Sequence, residues 1–551
     1  MSAALDKLNK MNADFVVLPI SVAQNGRFDD LVDIRGVPSG IFNSSVVGII
    51  NGEQNSRSRE ALGIQLSWAN HAGMYAAVLQ IGYLDIMELS AVISTFFSSI
   101  SPECSVTRIW IRCKVGEWEE WNMLRTITSY QSKMSVFLDM TELNAEPLIS
   151  DRWLGEPVAA FSCDNVRKEY SGLILSLLRR NAQPVISTPE QLRACRDTIS
   201  EFPALKWKDE NVGPYHDSLQ LPLQPLADHM ENTVYETFEA DRRKYDLYEN
   251  AIHAAISNLI SVYPEETSLR LAVVGAGRGG LIDSSVRAIS RIRNDGLAFT
   301  ITAVEKNPNA ARTLRFRQRD DELWHSEGSS LNISIHEGDM RSWQPKEYMD
   351  ILISELLGSL GDNEASPECL DGVIKFLDPL RGVSIPCMYY STVEPVSCHK
   401  IWQTTRDSKK LETPLVVLFH NAFRPCEPKT LFSFEHVVGV PSSPHEQSQS
   451  LNWVLPVDTT VHGLAGYFHA DLYGHVSMSI HPPTQSEEMM SWFPAFLPFR
   501  DPVFVRSGES LVVDIRRRAR KGEKMWVEWT VIAPTMGATN NHLGSTHHVG
   551  L

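Results

Sequence analysis

Cysteine is scarce in this chain: eight in 551 residues, at positions 104, 113, 163, 195, 369, 387, 398 and 426. No two stand in CxxC spacing, which argues against a structural zinc site, and a chain of this length does not need disulfide staples. Reduced, buried thiols are the expectation. Basic residues are also in deficit, 51 Lys and Arg against 67 Asp and Glu, for a formal net charge of −16. A general nucleic-acid or anionic-membrane binder needs a basic face, so both classes are disfavoured. The balance suits a cationic substrate or partner. No apolar run approaches the roughly 18–20 residues of a membrane span. The opening stretch MSAALDKLNKMNADF lacks the apolar centre of a secretory signal. The expectation is a metal-free protein of the cytoplasm and nucleus, with no direct hold on nucleic acid or membrane.

What is present is ordinary globular material. The chain is 43% hydrophobic and 21% charged, and at roughly 100–200 residues per domain it has room for about three or four domains. Short apolar runs begin near Phe15 (FVVLPI), Val46 (VVGII), Ala76 (AAVLQI), Val106 (VTRIWIRC), Met134 (MSVFLDM), Val158 (VAAF) and Pro184 (PVIS). Their spacing is that of a strand plus a helix, and helical stretches at 58–72 and 85–97 fill two of the gaps. A TIM-like (β/α) barrel over residues 1–202 is expected, with an open doubly wound sheet as the alternative.

Residues 203–228 hold Pro203, Pro214, Pro222 and Pro225 and read as an extended connector. A helix follows, with Tyr245, Tyr248, Ile252, Ile256 and Ile260 on one stripe and Pro264 as its stop. Strand and helix then alternate through LRLAVVGAGRGG, FTITAVEKN, LNISIHEGDM and YMDILISELLG. That is a Rossmann-like sheet within a domain spanning 203–385. From 386 to 551 the pattern becomes all-β, a barrel or sandwich, with strand-like runs at 414–419, 463–468, 476–480, 502–506, 511–515 and 525–532. Residues 401–450 look less regular, and SSPHEQSQS (442–450) reads as a polar loop.

Two motifs carry chemistry. Gly275, Gly277 and Gly280 satisfy GxGxxG, between a strand and a helix, where glycine lets the backbone turn tightly and approach a bound cofactor. Glu305 closes the second strand, where an acid can accept hydrogen bonds from ribose hydroxyls. NAD and S-adenosylmethionine both fit so far. Arg278 inside the loop offers a cation to a carboxylate, and Asp339-Met340 after the third strand can read an adenine edge. Both favour the methyl donor. After the fourth strand comes SELLGSLGDNE (354–364), with Glu355 and Glu364 separated by two glycines. A hairpin there brings two carboxylates together, and like charges that close raise a pKa unless a cation lies between them. Guanidinium is the natural cation, planar and matched to bidentate carboxylates. Its nitrogen is a poor nucleophile, so holding and aiming it is the main service a site can give.

GAGRGG (275–280), VEKNPNA (304–310), GDMR (338–341) and SELLGSLGDNEASPECLDG (354–372) resemble the protein arginine methyltransferases, in the branch that forms symmetric dimethylarginine. The resemblance runs through nearly the whole chain. It includes DRWLGEP (151–157), PLQPL (222–226), YETF (235–238), SIP (384–386), HGLAGYF (462–468), SWFP (491–494) and the terminal VGL. It implies a TIM barrel, a Rossmann-like methyltransferase domain and a C-terminal β-barrel for substrate binding and dimerisation. It also implies a type II enzyme that uses S-adenosyl-L-methionine on arginine–glycine-rich proteins such as histone tails and Sm-type splicing proteins.

By position, Glu355 and Glu364 match the guanidinium clamp. Tyr235, Lys244, Tyr245 and Arg278 match residues around the methionine end of the cofactor. Glu305 matches the ribose acid, and Asp339 and Met340 the adenine contacts. Phe238 matches the phenylalanine associated with symmetric product, where asymmetric enzymes usually have methionine. Ser491 and Trp492 match the wall of the arginine pocket.

Two departures stand out. Gly280 takes the place of a common proline, a change expected to be harmless because both residues suit a turn. Met490 replaces a usual phenylalanine. In the family the barrel docks a WD-repeat propeller protein. The barrel loops read as short here, so self-association into a homo-oligomer is the competing expectation. A non-catalytic scaffold of the same fold and a nicotinamide-dependent oxidoreductase are the other function classes weighed. Intact Glu305, Glu355, Glu364 and glycine loop argue against the scaffold.

Overall fold

The regular spacing of apolar runs in the first two hundred residues becomes a sheet of seven parallel strands. The structure, a computed structural model, describes residues 15–20, 46–50, 58–100, 107–140, 146–162, 171–186, 191, 193, 213–292, 296–325, 330–439 and 442–551. Pro203, Cys104, Cys163 and Cys195 lie outside them. Among the described residues the other five cysteines form no disulfide, with Cys113, Cys369 and Cys398 buried and Cys387 and Cys426 half-buried. The chain divides into two compact units, Met1–Lys206 with Ser397–Thr404 and His420–Pro425, and Trp207–Val396 with Thr405–Phe419 and Cys426–Leu551.

In the first unit, β1 (Val16–Ile20), β2 (Val46–Ile50), β3 (Ala76–Gln80), β4 (Arg108–Lys114), β5 (Met134–Asp139), β6 (Val158–Ser162) and β7 (Gln183–Val185) pair in sequence order, each parallel to the next. A doubly wound sheet reverses its order at a switch point. An order that never reverses, with right-handed crossovers, keeps the connecting helices on one face, which is the winding of a (β/α) barrel.

The helices begin where their sequences supply caps. Ser58 accepts a hydrogen bond from the Ala61 N–H at the start of α1 (Arg59–His71), and Asp85 accepts one from Met87 at the start of α2 (Ile86–Ser98). α3 (Trp118–Ile127) buries Trp118, Trp121 and Leu124. Beside it the buried Glu156 carboxylate accepts both indole N–H groups at 3.0 Å and pairs with Arg125. Residues Ser397–Thr404 pack into this unit too. His399 Nδ1 lies 3.3 Å from Arg125, and Gln403 donates to the Tyr130 carbonyl at 2.6 Å.

The second unit opens with α4 (Asn232–Glu239) and α5 (Arg242–Val262). The buried stripe of α5 runs through Leu247, Tyr248, Ala251, Ile252, Ala255, Ile256 and Leu259, so Leu259 takes the inward place expected of Ile260. The parallel strands β8 (Ser268–Val274), β9 (Ala298–Glu305), β10 (Leu331–Glu337), β11 (Ile351–Ser354) and β12 (Val383–Ile385) follow in the order β10-β9-β8-β11-β12. Here the order does reverse, between β8 and β11, and ligands of such sheets bind beyond the strand ends at that point. α6 (Gly280–Ser290) leaves β8, and α7 (Pro308–Asp320) leaves β9 with Asn307 as its cap and proline in its first turn.

The all-β part is two antiparallel sheets. One contains β13 (Met388–Val396), β14 (Leu415–Val416), β15 (Lys429–Glu435), β17 (Thr459–Tyr473), β18 (Val476–Ser479) and β19 (Ala495–Val505). The other contains β16 (Gln447–Val454), β20 (Ser510–Arg520), β21 (Lys524–Ala533) and β22 (Val549–Gly550). The stretch expected to be a polar loop is partly wrong: Gln447–Val454 is an edge strand, registered from Gln447 against Arg517 to Val454 against Ser510. Only Leu451 and Trp453 of it are buried, so its polarity marks an exposed face rather than a turn.

Candidate active site

The C-terminal ends of β8, β9, β10 and β11 open onto one cavity of about 620 Å³, and all the residues singled out from the sequence line it. After β8 the chain turns through Gly275, Gly277 and Gly279 at φ of +67°, +53° and +105°, the left-handed region that glycine tolerates. Glu305, at the end of β9, braces this turn. Its carboxylate accepts the Gly277 N–H and the Asn307 N–H, each at 2.7 Å. Burial pushes this carboxyl up, against the pull of those two backbone donors.

The glycines are needed for space as well. A Cβ on Gly275 would stand 2.9 Å from Leu356, and one on Gly277 3.2 Å from the Tyr235 ring. At Gly280 a Cβ would come within 2.5 Å of the Tyr245 ring. Glycine in place of the usual proline is accommodated here, and Tyr245 occupies the space a side chain at this position would need.

Two expected cofactor contacts are already engaged within the chain. Arg278 donates to Asn232 Oδ1 at 2.6 Å and pairs with Glu239 at 3.0 Å, both on α4. Asp339 accepts the Arg341 backbone N–H at 2.8 Å and its guanidinium at 2.7 Å. Burial would raise the Asp339 carboxyl, but these hydrogen bonds outweigh it and hold the group below its usual value. Met340 packs near Gly275.

Beyond β11 the chain folds back as a hairpin. The Gly361 N–H donates to the Gly358 carbonyl at 2.7 Å, and the reverse bond is 3.2 Å. Glu355 precedes the hairpin and Glu364 follows it. Burial, then the charge of Glu355, push the Glu364 carboxyl well above the usual carboxylate range, with Lys244 pulling the other way. The Lys244 ammonium lies 3.4 Å from Glu355 Oε2. It also sits 5.2, 5.0 and 5.2 Å from the ring centroids of Phe238, Tyr245 and Trp492. Three aromatic faces and a carboxylate thus converge on one cation.

Sequence reasoning missed the residues that fix these walls. Asp241 caps α5 by accepting the Lys244 N–H, and its other oxygen accepts the Met490 N–H, the Ser491 N–H and the Ser491 hydroxyl at 2.7–2.8 Å. Its cap role was readable from an Asp just before RRKYDLY, but its tie to residues 490–491 was not. The Trp492 indole N–H donates to the Leu357 carbonyl at 2.6 Å, which locks the ring against the hairpin. The Tyr248 hydroxyl donates to the Ser354 carbonyl at 2.7 Å and anchors the end of β11.

A family model described as PRMT5 arginine-N-methyltransferase matches residues 207–385. Models of the PRMT5 oligomerisation domain and the PRMT5 TIM barrel domain match 388–549 and 47–165. Protein arginine N-methyltransferase 5 of Xenopus laevis is 34% identical over 465 residues, covering 79% of this chain and 71% of that protein. The chain belongs to the PRMT5 family of arginine methyltransferases. The Oryza sativa subsp. indica relative of the same name is 35% identical over 486 residues, covering 79% of this chain and 73% of its own. Protein arginine N-methyltransferase skb1 of Schizosaccharomyces pombe is 32% identical, with 86% and 80% covered. The reaction is S-adenosyl-L-methionine-dependent methylation of arginine in proteins, on a fold of TIM barrel, methyltransferase domain and C-terminal oligomerisation domain.

The cavity fits that cofactor. Its glycine turn leaves no room for side chains, and the adjacent Glu305 acid keeps acceptor capacity beyond its two backbone bonds.

Proposed function

We propose that this chain is a type II enzyme, forming monomethylarginine and symmetric dimethylarginine on arginine–glycine-rich segments such as those of histone tails and Sm-type splicing proteins. The observation that carries this reading is the cation seat. Phe238, Tyr245, Trp492 and Glu355 already surround an ammonium, that of Lys244, so the cavity wall is built for a cation on an aromatic face. In this reading Lys244 leaves the seat when the substrate guanidinium enters.

The division of labour follows from chemistry. Gly275, Gly277 and Glu305 would hold the ribose side of the cofactor, Tyr235, Lys244, Tyr245 and Arg278 its methionine end, and Asp339 and Met340 its base. When bound, the cofactor supplies an electrophilic methyl on a sulfonium sulfur. Glu355 and Glu364 hold the guanidinium from two sides and aim one nitrogen, and such alignment contributes on the order of 7–11 kcal/mol. Methyl transfer leaves one proton too many on the guanidinium. Glu364 takes it, since burial raises its affinity for a proton.

Phe238 and Trp492 flank the seat as rigid walls, which limits the poses a methylated guanidinium can adopt on its return. That supports symmetric product. The proposed assembly is a homo-oligomer in cytoplasm and nucleus, built through the oligomerisation domain and without an obligatory WD-repeat partner.

The test is purified chain with isotope-labelled S-adenosylmethionine and an arginine–glycine-rich peptide, the hydrolysed product being resolved by chromatography. Monomethylarginine and symmetric dimethylarginine are expected, and Phe238→Met should add the asymmetric isomer. Asymmetric product from the unmodified chain would overturn the type II assignment.

A further inference from the structure

The loop that carries Glu364 is fastened from behind by a residue with no place in the cavity. Arg517 on β20 is completely buried. Its Nε donates to Asp362 Oδ2 at 2.6 Å. Its two terminal nitrogens donate to the two Glu368 oxygens at 2.8 and 2.9 Å, and one of them also reaches the His445 carbonyl at 2.7 Å. Asp362 and Glu368 flank Glu364 in sequence. Within the same stretch the Tyr389 hydroxyl donates to Ser366 Oγ at 2.9 Å, and His445 Nε2 meets Asp371 at 2.9 Å. The Arg517 Cζ also lies 5.2 Å from the centroid of the Phe434 ring.

A buried triad of one cation and two anions is a weak stabiliser, because desolvation offsets much of the attraction. What such a triad does deliver is geometry. A bidentate fork admits one orientation of its carboxylate. Here it fixes the chain on both sides of Glu364, and the fork comes from the oligomerisation domain rather than from the methyltransferase sheet.

We propose that Arg517 is a positioning residue for methyl transfer. Through Asp362 and Glu368 it sets where the Glu364 carboxylate meets the substrate guanidinium, so turnover depends on a strand of the C-terminal domain. This rests on the reading of Glu364 as one arm of the guanidinium clamp.

The test uses the full chain in its oligomeric form. Arg517→Lys, Asp362→Asn, Glu364→Gln and the neutral triple variant Asp362→Asn/Glu368→Gln/Arg517→Met are compared with the unmodified enzyme. For each, the melting temperature, the Kd for S-adenosylmethionine and the kcat and KM for an arginine–glycine peptide are measured. Arg517→Lys keeps the charge but loses the fork. It and Asp362→Asn should lower kcat about 10- to 100-fold, the size of effect a misplacement near 1 Å produces, while cofactor Kd stays within about twofold. The triple variant should recover the melting temperature but not kcat, which separates positioning from charge compensation.

If Arg517→Lys fails to fold, Asp362→Asn decides, since it retains the Arg517–Glu368 pair. A triple variant with full kcat, or Asp362→Asn at the unmodified rate while Glu364→Gln is inactive, would overturn the positioning role alone. Glu364→Gln turning over normally would instead overturn the clamp on which it depends.

Discussion

In the proposed clamp, Glu364 sets function against stability. Its carboxyl is held well above the usual range by burial and by the neighbouring charge of Glu355. A carboxyl whose proton affinity is higher in the folded than in the unfolded chain binds more protons when folded. The linkage sign follows: its contribution to stability is present at low pH and is lost as pH rises from the ordinary carboxylate value through the raised one. At neutral pH the empty clamp therefore destabilises the fold, and a guanidinium between the two carboxylates relieves that. Glu364→Gln should abolish methyl transfer while leaving cofactor Kd within about twofold. It should also melt higher than the unmodified chain at pH 8, with the difference shrinking towards pH 4. Calorimetric melting across that range checks the sign, and a variant that melts lower at every pH would contradict it.

Which residues gather at the candidate site is legible at the residue scale, because acids at strand ends and a pair around two glycines are positional signals. The partners were not legible. Nothing local in the sequence ties Arg278 to Glu239 rather than to a ligand carboxylate, or seats the Lys244 ammonium among Phe238, Tyr245 and Trp492. The Arg278–Glu239 and Lys244–Trp492 contacts join residues far apart in the chain.

At the scale of elements, the glycine turn and the start of α5 each do two tasks. Gly280 begins α6 and also makes room for Tyr245. Gly280→Ala should cost little as a helix substitution, since alanine is the better helix former by about 1 kcal/mol. Yet it should weaken cofactor binding by displacing the Tyr245 ring. Titration calorimetry with S-adenosylmethionine would show a rise in Kd with no loss in melting temperature; an unchanged Kd would mean that the ring moves freely. Asp241 likewise serves as helix cap and as tether for residues 490–491. Asp241→Ala should cost the roughly 0.5–2 kcal/mol of a lost cap, and in addition raise the peptide KM because Trp492 loses its support. A denaturant melt and a peptide titration separate the two effects.

Elements were legible where burial imposes a period. The strands at 46–50, 76–80 and 134–139 stand where their apolar runs predict them, and helices 59–71 and 86–98 fit the gaps to within a residue or two. Periodicity failed where strands are exposed or mixed. Gln447–Val454 shows five exposed residues in eight, and Lys429–Glu435, with exposed and buried residues mixed, lies unread in the stretch 401–450 that looks irregular.

At the scale of the whole molecule, two parallel sheets in one chain differ in a single topological respect. The seven-stranded sheet never reverses its order and the five-stranded sheet does, and the residues of the candidate site gather at the strand ends of the reversing sheet. The chemistry there demands a cationic substrate, and the chain carries a net charge of −16. A field of that sign raises the local concentration of a basic peptide and speeds its arrival, while the charges that act inside the cavity are shielded by the protein.

Salt discriminates between the two effects, since screening is strong beyond a Debye length of about 8 Å at 0.15 M and weak for buried pairs. Raising ionic strength from 0.05 to about 0.5 M should therefore increase the KM for an arginine–glycine peptide severalfold and leave kcat within about twofold. A lysine-free peptide carrying a single arginine should show a much smaller rise in KM, because steering scales with the charge steered. Equal salt dependence for both peptides would place the electrostatics in the clamp rather than in the molecule as a whole. A fall in kcat with salt would mean that Glu355 and Glu364 meet their substrate in contact with water.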